Sequence, residues 1–291
     1  MKKKIFALGF FDGVHLGHQA LLAECGRMAA QMGCQTAAIT FQAHPQSLFT
    51  SNPPALINGN ADREALLRCY GIQEILELQV SDSVMSTPWQ DFLANLRREG
   101  AVGFVCGDDF RFGCRGAGNA GLLAEYCETE RLPYAIVPEQ TLEGVRISST
   151  HIRGLIEAGD METAAKFLGH PHMLGGEVVA GRKIGRTIGV PTANILLLEG
   201  IVVPKLGVYA AECLVDGIRY QAVTNIGSRP TVGGHQVRAE SWLLDFEGDL
   251  YGKHMTVIFH KFLRPEQKFD SLEELKLQIQ QDAAQAKNLL R

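Results

Sequence analysis

The chain has 291 residues, enough for two domains of roughly 150 residues, each with its own core. A formal charge of −4, with 46% hydrophobic and 21% charged residues, describes a soluble globular enzyme or binding protein and gives no support for a nucleic-acid or membrane-surface partner. No apolar run approaches the ~20 residues that span a bilayer, and the start, MKKKIFALGFF, leaves the signal-peptide pattern where its apolar run is cut at Asp12.

Up to about residue 168, apolar strands alternate with amphipathic helices. Residues 5–8 read as the first strand. The stretch GFFDGVHLGH at 9–18 follows and opens a helix over 17–32 that Gly33 stops. His15 and His18 are three apart, and at ~3.6 residues per turn both imidazoles fall on one side of the first turn. A helix N-terminus offers unpaired N–H groups and the positive dipole end, so phosphate is the natural ligand there. Gly13 and Gly17 leave room for it, and the imidazoles supply hydrogen bonds to charge building up in a transition state. A zinc pair is the alternative, although helical zinc histidines usually sit four apart and need a third ligand.

Further strands are expected at 36–41, 75–80, 102–106 and 134–137, with helices at 61–70, 89–99, 122–131, 150–158 and 161–168. This alternation implies a parallel sheet wrapped on both faces, with ligands at the carboxyl ends of its strands. Three stretches fall at such ends: FQAHP at 41–45, GDDFRFG at 107–113 and RISSTHIR at 146–153. In the last, the hydroxyls of Ser148, Ser149 and Thr150, flanked by Arg146 and Arg153, suit an anion held by amides and guanidinium forks; an N-cap with solvated arginines is the alternative. Asp108 and Asp109 could take a nucleotide hydroxyl or Mg²⁺, or cap a turn. His44 by itself reads as a hydrogen-bonding loop residue.

Beyond residue 168 the pattern changes. GHPHMLGG at 169–176 is a turn-rich joint, with His170 and His172 as joint residues rather than metal ligands. Runs at 209–215 and 218–225 flank Asp216-Gly217, a hairpin signal, and runs at 242–246 and 255–262 flank a second turn. Close strands without crossover helices indicate an antiparallel sheet or small barrel. Ser271 and Glu274 form a capping box before a last helix at 272–290, whose apolar face should dock on the barrel. The seven cysteines, with no Cys-x-x-Cys pair, read as reduced thiols of a cytoplasmic protein.

The second region carries its own chemistry. GRKIGRTIGVPTAN at 181–194 holds Gly181, Gly185 and Gly189 with Arg182, Lys183 and Arg186, so backbone amides can approach phosphates while cations offset their charge. Thr192 and Asn194 offer oxygens to a magnesium-bound nucleotide. This is not the Walker pattern, which puts Lys-Ser/Thr straight after the last glycine. Glu240, in RAESWLLDF, alternates with apolar strand neighbours and is a candidate general base; a strand-edge glutamate paired with Arg238 or Arg219 is the alternative.

Together these motifs resemble the bacterial bifunctional riboflavin kinase/FAD synthetases. GFFDGVHLGH, FQAHP, GDDFRFG and RISSTHIR are similar to their adenylyltransferase module. GRTIGVPTAN, PKLGVY at 204–209, NIGSRPT at 225–231, AESWLLDFEGDLYG and FLRPEQKF at 262–269 are similar to their kinase module. The resemblance implies a Rossmann-like, nucleotidyltransferase-type α/β domain over 1–168, then an antiparallel six-stranded barrel with a C-terminal helix over 172–291. In the barrel it implies phosphorylation of riboflavin to FMN by ATP, with Glu240 as base and Thr192 and Asn194 on Mg²⁺. Gly181, Lys183, Gly185, Arg186 and Gly189 would hold phosphates. In the α/β domain it implies adenylylation of FMN by a second ATP, giving FAD and pyrophosphate. There His15, His18, Gly13, Gly17, Arg146, Ser148, Thr150 and Arg153 would serve the phosphates. Asp109 and Arg264 would contact nucleotide or flavin. The implied partners are riboflavin, FMN and ATP.

Three positions depart from the family pattern: Phe10, where a small or polar residue is usual, Ala43 in place of proline, and Asn119 in place of aspartate. All lie in the adenylyltransferase half. A riboflavin kinase with an impaired or repurposed front domain is therefore the alternative, and a flavin-binding regulator a third, which would lack Glu240 or the Thr192/Asn194 pair.

Overall fold

The computed structural model describes residues 2–180, 189–231 and 234–290. In chain order it runs β1 (Lys4–Leu8), α1 (Leu16–Met32), β2 (Gln35–Phe41), α2 (Asn60–Cys69), β3 (Glu74–Leu78), α3 (Asp82–Met85), α4 (Trp89–Arg98) and β4 (Ala101–Gly107). Then come β5 (Arg111–Phe112), β6 (Gly118–Asn119), α5 (Ala120–Glu130), β7 (Tyr134–Val137), β8 (Thr141–Leu142), β9 (Val145–Arg146), α6 (Ser149–Ala158) and α7 (Met161–Leu168). The remainder is β10 (Met173–Val179), β11 (Ala193–Leu196), β12 (Gly207–Val215), β13 (Ile218–Thr231), β14 (Gly234–Leu243), β15 (His254–Arg264) and a C-terminal helix, Leu272–Leu289. Packing divides the chain into one unit of Met1–Leu56 with Arg63–Ser149 and a second of Ile57–Asp62 with Thr150–Arg291.

The first unit is built on a parallel sheet in the order β3-β2-β1-β4-β7. Its central strand β1 is buried at every position, which is why residues 5–8 read as a continuous apolar run rather than an alternating one; the buried Lys4 that precedes them is paired with Glu74. Phe6, Leu8, Ile39, Phe104, Leu93 and Leu123 join the sheet to α4 and α5 in one core. Helix α1 starts from His15 at its N-cap and ends where Gly33 takes a left-handed conformation, φ 60°. The two-stranded pairs β5–β6 and β8–β9 add small hairpins. Two-residue strands are too short for any periodicity to announce them.

The second unit is a closed barrel in the order β10-β11-β14-β13-β12-β15. Asp216 and Gly217 both have positive φ, 51° and 80°, and turn β12 into β13 as their dipeptide suggests. Two local expectations fail. The joint at 169–176 gives way at Met173 to strand β10, because the glycines there serve close approach rather than turning. A Cβ on Gly175 would lie 2.5 Å from Asp62 Oδ1, and the Gly175 amide donates to Asp62 Oδ2 at 2.8 Å. The runs at 242–246 and 255–262 do not form a hairpin either. β14 ends at Leu243 and pairs with β11 and β13, while β15 pairs with β10 and β12. Asp245, Gly248 and Gly252, with φ of 58°, 150° and 74°, carry the intervening segment out of the sheet.

The C-terminal helix lays Ala283 and Ala286 against Val208, Ala210 and Val223 of the barrel wall. Half of its capping box forms as expected, the Glu274 amide donating to Ser271 Oγ at 3.2 Å; the return bond goes one residue further back, Glu274 Oε2 accepting from the Asp270 amide rather than from Ser271.

Candidate active sites

In the first unit a cavity of about 230 Å³ opens at the carboxyl end of the sheet, lined among others by His15, Gly17, His18, Asp109, Arg146 and Ser148. The chain enters it through a strained turn, with Phe11 and Val14 at φ of 57° and 41° and Gly13 at 82°. His15 Nδ1 accepts from the His18 amide, so the residue that caps the helix is also one of the two imidazoles. The two rings stack with centroids 3.7 Å apart. Gly17 makes room for this arrangement, since a Cβ there would sit 3.3 Å from the His15 ring. Gly13 is not among the lining residues; the left-handed turn is what requires it. His18 is half-buried, with its Nδ1 shielded from solvent and lacking a hydrogen-bond partner among the described residues. Burial, and then the neighbouring His15, hold its pKa well below the usual histidine value.

Ser148 lines the cavity, and Ser149 Oγ donates to the Asp12 carbonyl at 2.9 Å, tying RISST to the FDG turn across the unit. Arg146 Nη2 lies 2.6 Å from Asp109 Oδ2 and its Nε 2.8 Å from Glu139 Oε2. Glu139 is absent from the sequence reading. Its only forewarning is that a hairpin brings it beside an arginine seven residues on. Thr150 and Arg153 begin the second unit on α6, where Arg153 Nη1 reaches Thr150 Oγ1 at 3.4 Å.

The three departures from the family pattern have local accounts in two cases. The Phe10 ring does not line the cavity; it packs edge-on to His44 at 5.2 Å and beneath the Arg63 guanidinium at 5.1 Å. Asn119 caps α5, its Oδ1 accepting from the Leu122 amide at 3.0 Å, which an aspartate would do equally well. Nothing in the structure explains Ala43. His44 is the loop hydrogen-bonder expected of it, its Nδ1 accepting from the Gln46 amide at 3.2 Å.

In the barrel, Glu240 of β14 stands opposite Asn194 of β11 on one side and Asn225 of β13 on the other. Directly opposed residues share a face with Cβ atoms ~5 Å apart, so the three side chains form one row across three strands. Asn194 is 4% exposed and its Oδ1 has no hydrogen-bond partner among the described residues, while its Nδ2 faces the Thr192 carbonyl at 3.5 Å. A buried acceptor without a donor is what a cation site leaves in the protein. Thr192 also borders a cavity of about 300 Å³ with Leu243, Phe246, Asp249 and Tyr251. Gly181, Arg182, Lys183, Gly185 and Arg186 lie outside the described residues; Gly189, at φ 77°, is the first described residue after them. Arg264 is engaged by the protein itself. Its Nε and Nη2 grip Asp282, which is 3% exposed on the C-terminal helix, with Nη2 at 2.8 Å from Oδ2.

The seven cysteines are all free thiols. Among the described residues no helix is long and apolar enough to cross a membrane.

Comparison with known proteins gives two family matches: FAD synthetase over residues 1–151 and riboflavin kinase over residues 168–290. The bifunctional riboflavin kinase/FMN adenylyltransferase of Pseudomonas fluorescens is 36% identical over 288 residues, 98% of this chain and 92% of that one. The protein of the same description from Escherichia coli strain K12 is 38% identical over 291 residues, 97% and 91% of the two chains. A crystal structure described as a macrolide-efflux protein from Streptococcus pneumoniae is 33% identical and superposes with a TM-score of 0.88, covering 99% of this chain and 94% of that one. With both modules matched in order and relatives above 30% identity along nearly its whole length, the chain belongs to the bifunctional riboflavin kinase/FMN adenylyltransferase family.

Proposed function

We propose that the two reactions run in separate cavities: riboflavin to FMN at the Glu240 row of the barrel, and FMN to FAD over the stacked histidines of the α/β unit. The observation that carries this reading is the Asn194–Glu240–Asn225 row, which sets one carboxylate between two amides on one face of the barrel. For the kinase step, the ribityl 5′-hydroxyl gives its proton to Glu240 as its oxygen forms a bond to the γ-phosphorus of ATP and ADP leaves. Thr192 and Asn194 would hold Mg²⁺, which when bound offsets phosphate charge. The Thr192 cavity takes the nucleotide, and the glycines and cations of 181–189 take its phosphates.

For the second step, an FMN phosphate oxygen attacks the α-phosphorus of ATP, the α–β bridge breaks and pyrophosphate departs. No protein nucleophile is required. His15, His18, Gly17, Ser148 and Arg146 would supply donors to the charge that builds up on the phosphates, and Asp109 would accept from a nucleotide or flavin hydroxyl. Thr150 and Arg153 belong to the second unit, so this assignment rests on the first-unit residues. Chemistry divides near residues 168–172, although packing divides the chain at Ser149. A cytoplasmic enzyme of small molecules, with no nucleic-acid partner, fits the free cysteines and the charge of −4.

The test is chromatography of flavins formed from riboflavin, ATP and Mg²⁺. Glu240→Gln should abolish FMN formation while leaving FMN-to-FAD conversion intact, and His18→Ala should do the reverse. A single substitution that stopped both reactions in folded protein would refute the two-site assignment.

A further inference from the structure

We infer that Glu266 is a positioning residue for the kinase reaction, acting through the Asn225 side chain on the substrate beside Glu240; this rests on the reading of Glu240 as the base. Asn225 Nδ2 donates to Glu266 Oε1 at 3.1 Å. Gly227, two residues further along β13 and so on the same face, creates the space for that contact. A Cβ there would lie 2.8 Å from Glu266 Oε1 and 3.1 Å from Asn225 Nδ2. The segment that carries Glu266 is anchored two residues earlier, where Arg264 grips the buried Asp282 of the C-terminal helix. The carboxylate is thus brought over the strand by a fixed point on one side and a missing side chain on the other.

The consequence lies in the asymmetry of an amide. An asparagine side chain has a donor end and an acceptor end that differ little in shape, and only its partners decide which way it faces. A carboxylate can only accept, so Glu266 draws the NH₂ end of Asn225 toward itself and turns Oδ1 the other way. The row beside Glu240 then presents an acceptor, suited to a hydroxyl donor. A polyol substrate that gives one proton to Glu240 can give the next hydroxyl's hydrogen bond to Asn225 Oδ1. Its reacting oxygen is thereby set in line before proton transfer. Without Glu266 the amide is free to turn its NH₂ to the substrate instead.

The test uses the full chain, with FMN formation and FMN-to-FAD conversion measured on the same preparations of Glu266→Ala, Glu266→Gln, Asn225→Ala, the Glu266→Ala/Asn225→Ala double variant and Glu240→Gln. Glu266→Ala should lower kcat for FMN formation about tenfold with KM for ATP unchanged. Glu266→Gln, whose amide can meet Asn225 with either its oxygen or its NH₂, should recover only part of that loss. In the Asn225→Ala background the Glu266→Ala change should cost nothing more, because the path through the amide is already cut. FMN-to-FAD conversion should stay at its original rate in all of them. Full kcat in Glu266→Ala, or additive losses in the double variant, would overturn the inference. FMN formation surviving in Glu240→Gln would instead remove the base assignment on which it stands.

Discussion

The imidazoles of His15 and His18 lie face to face, their centroids 3.7 Å apart and their planes inclined by 13°. Helix geometry sets this pairing, since His15 is the N-cap and His18 the third residue of α1, and the His15 Nδ1 lone pair takes the His18 amide proton. His15 therefore carries its neutral-form proton on Nε2. Two imidazolium ions stacked at this distance would repel strongly, and burial already disfavours charge on His18. Under the proposed adenylylation site, the pair is suited to meet phosphate as hydrogen-bond donors rather than as a double cation.

That assignment predicts a pH profile. Burial, and then the neighbouring His15, hold the pKa of His18 well below 6.5, which favours the neutral ring at neutral pH. The kcat/KM for FMN adenylylation, which reports on the free enzyme, should show no inflection near pH 6.5 when measured from pH 5.5 to 8.5. Loss of rate on the basic side of 6.5 would mean that an imidazolium is the active form.

The parts of this molecule that could be read from its sequence are those governed by local spacing. Helix α1 was expected over 17–32 and occupies Leu16–Met32, because a 3.6-residue period and a terminal glycine are both short-range signals. The histidine pair was legible for the same reason. Strand β10 was not, since Gly175 and Gly176 look like a turn until Asp62, 113 residues earlier, is seen to occupy the missing side chain's place. Asn225 and Glu266 are 41 residues apart, and the register that sets Asn225 against Glu240 exists only once the barrel closes. Spacing along the chain carries no trace of such pairings.

The barrel should lose stability in acid through His172. This residue is fully buried, stacked on Phe259 at 5.6 Å, and neither ring nitrogen has a hydrogen-bond partner among the described residues. Burial, followed by the nearby His170, lowers its pKa to about 3. Below 6.5 the unfolded chain binds a proton that the folded one refuses. The stability is therefore fully present above pH 6.5 and is lost as pH falls toward 3, at ~1.4 kcal/mol per unit. Urea unfolding at pH 7 and pH 5 should show the difference between the two shrinking by ~2 kcal/mol in His172→Phe. An unchanged difference would place the proton-binding group elsewhere.

Arg146 predicts an effect on substrate affinity. It is held at the cavity edge by Asp109 and Glu139, all three side chains being well exposed. Exposed ion pairs contribute ~0–1 kcal/mol, whereas a guanidinium on phosphate makes a stronger, forked contact, so a triphosphate can displace these carboxylates. Glu139→Gln removes one competitor and should lower KM for ATP in FAD formation by up to about fivefold, the equivalent of ~1 kcal/mol. Arg146→Ala should raise it. A higher KM in Glu139→Gln would show that Glu139 orients the arginine rather than competing for it.

Gly175 should resist even the smallest substitution. Its missing side chain leaves the space in which Asp62 Oδ1 sits, 2.5 Å from where a Cβ would be, and the His254 ring is 2.9 Å away on the same side. Asp62 cannot readily withdraw, because its Oδ2 accepts the Gly175 amide at 2.8 Å and burial, the main influence on its raised pKa, leaves it few other partners. Gly175→Ala therefore overpacks the second unit, at ~1–3 kcal/mol, and should lower the unfolding temperature by several degrees. The cause can be separated from a general dislike of alanine in a strand. Asp62→Ala removes the atom that clashes, so the double variant should be less destabilised than the sum of the two single ones. Strict additivity in thermal unfolding would mean that the glycine is needed for its backbone and not for the room it gives Asp62.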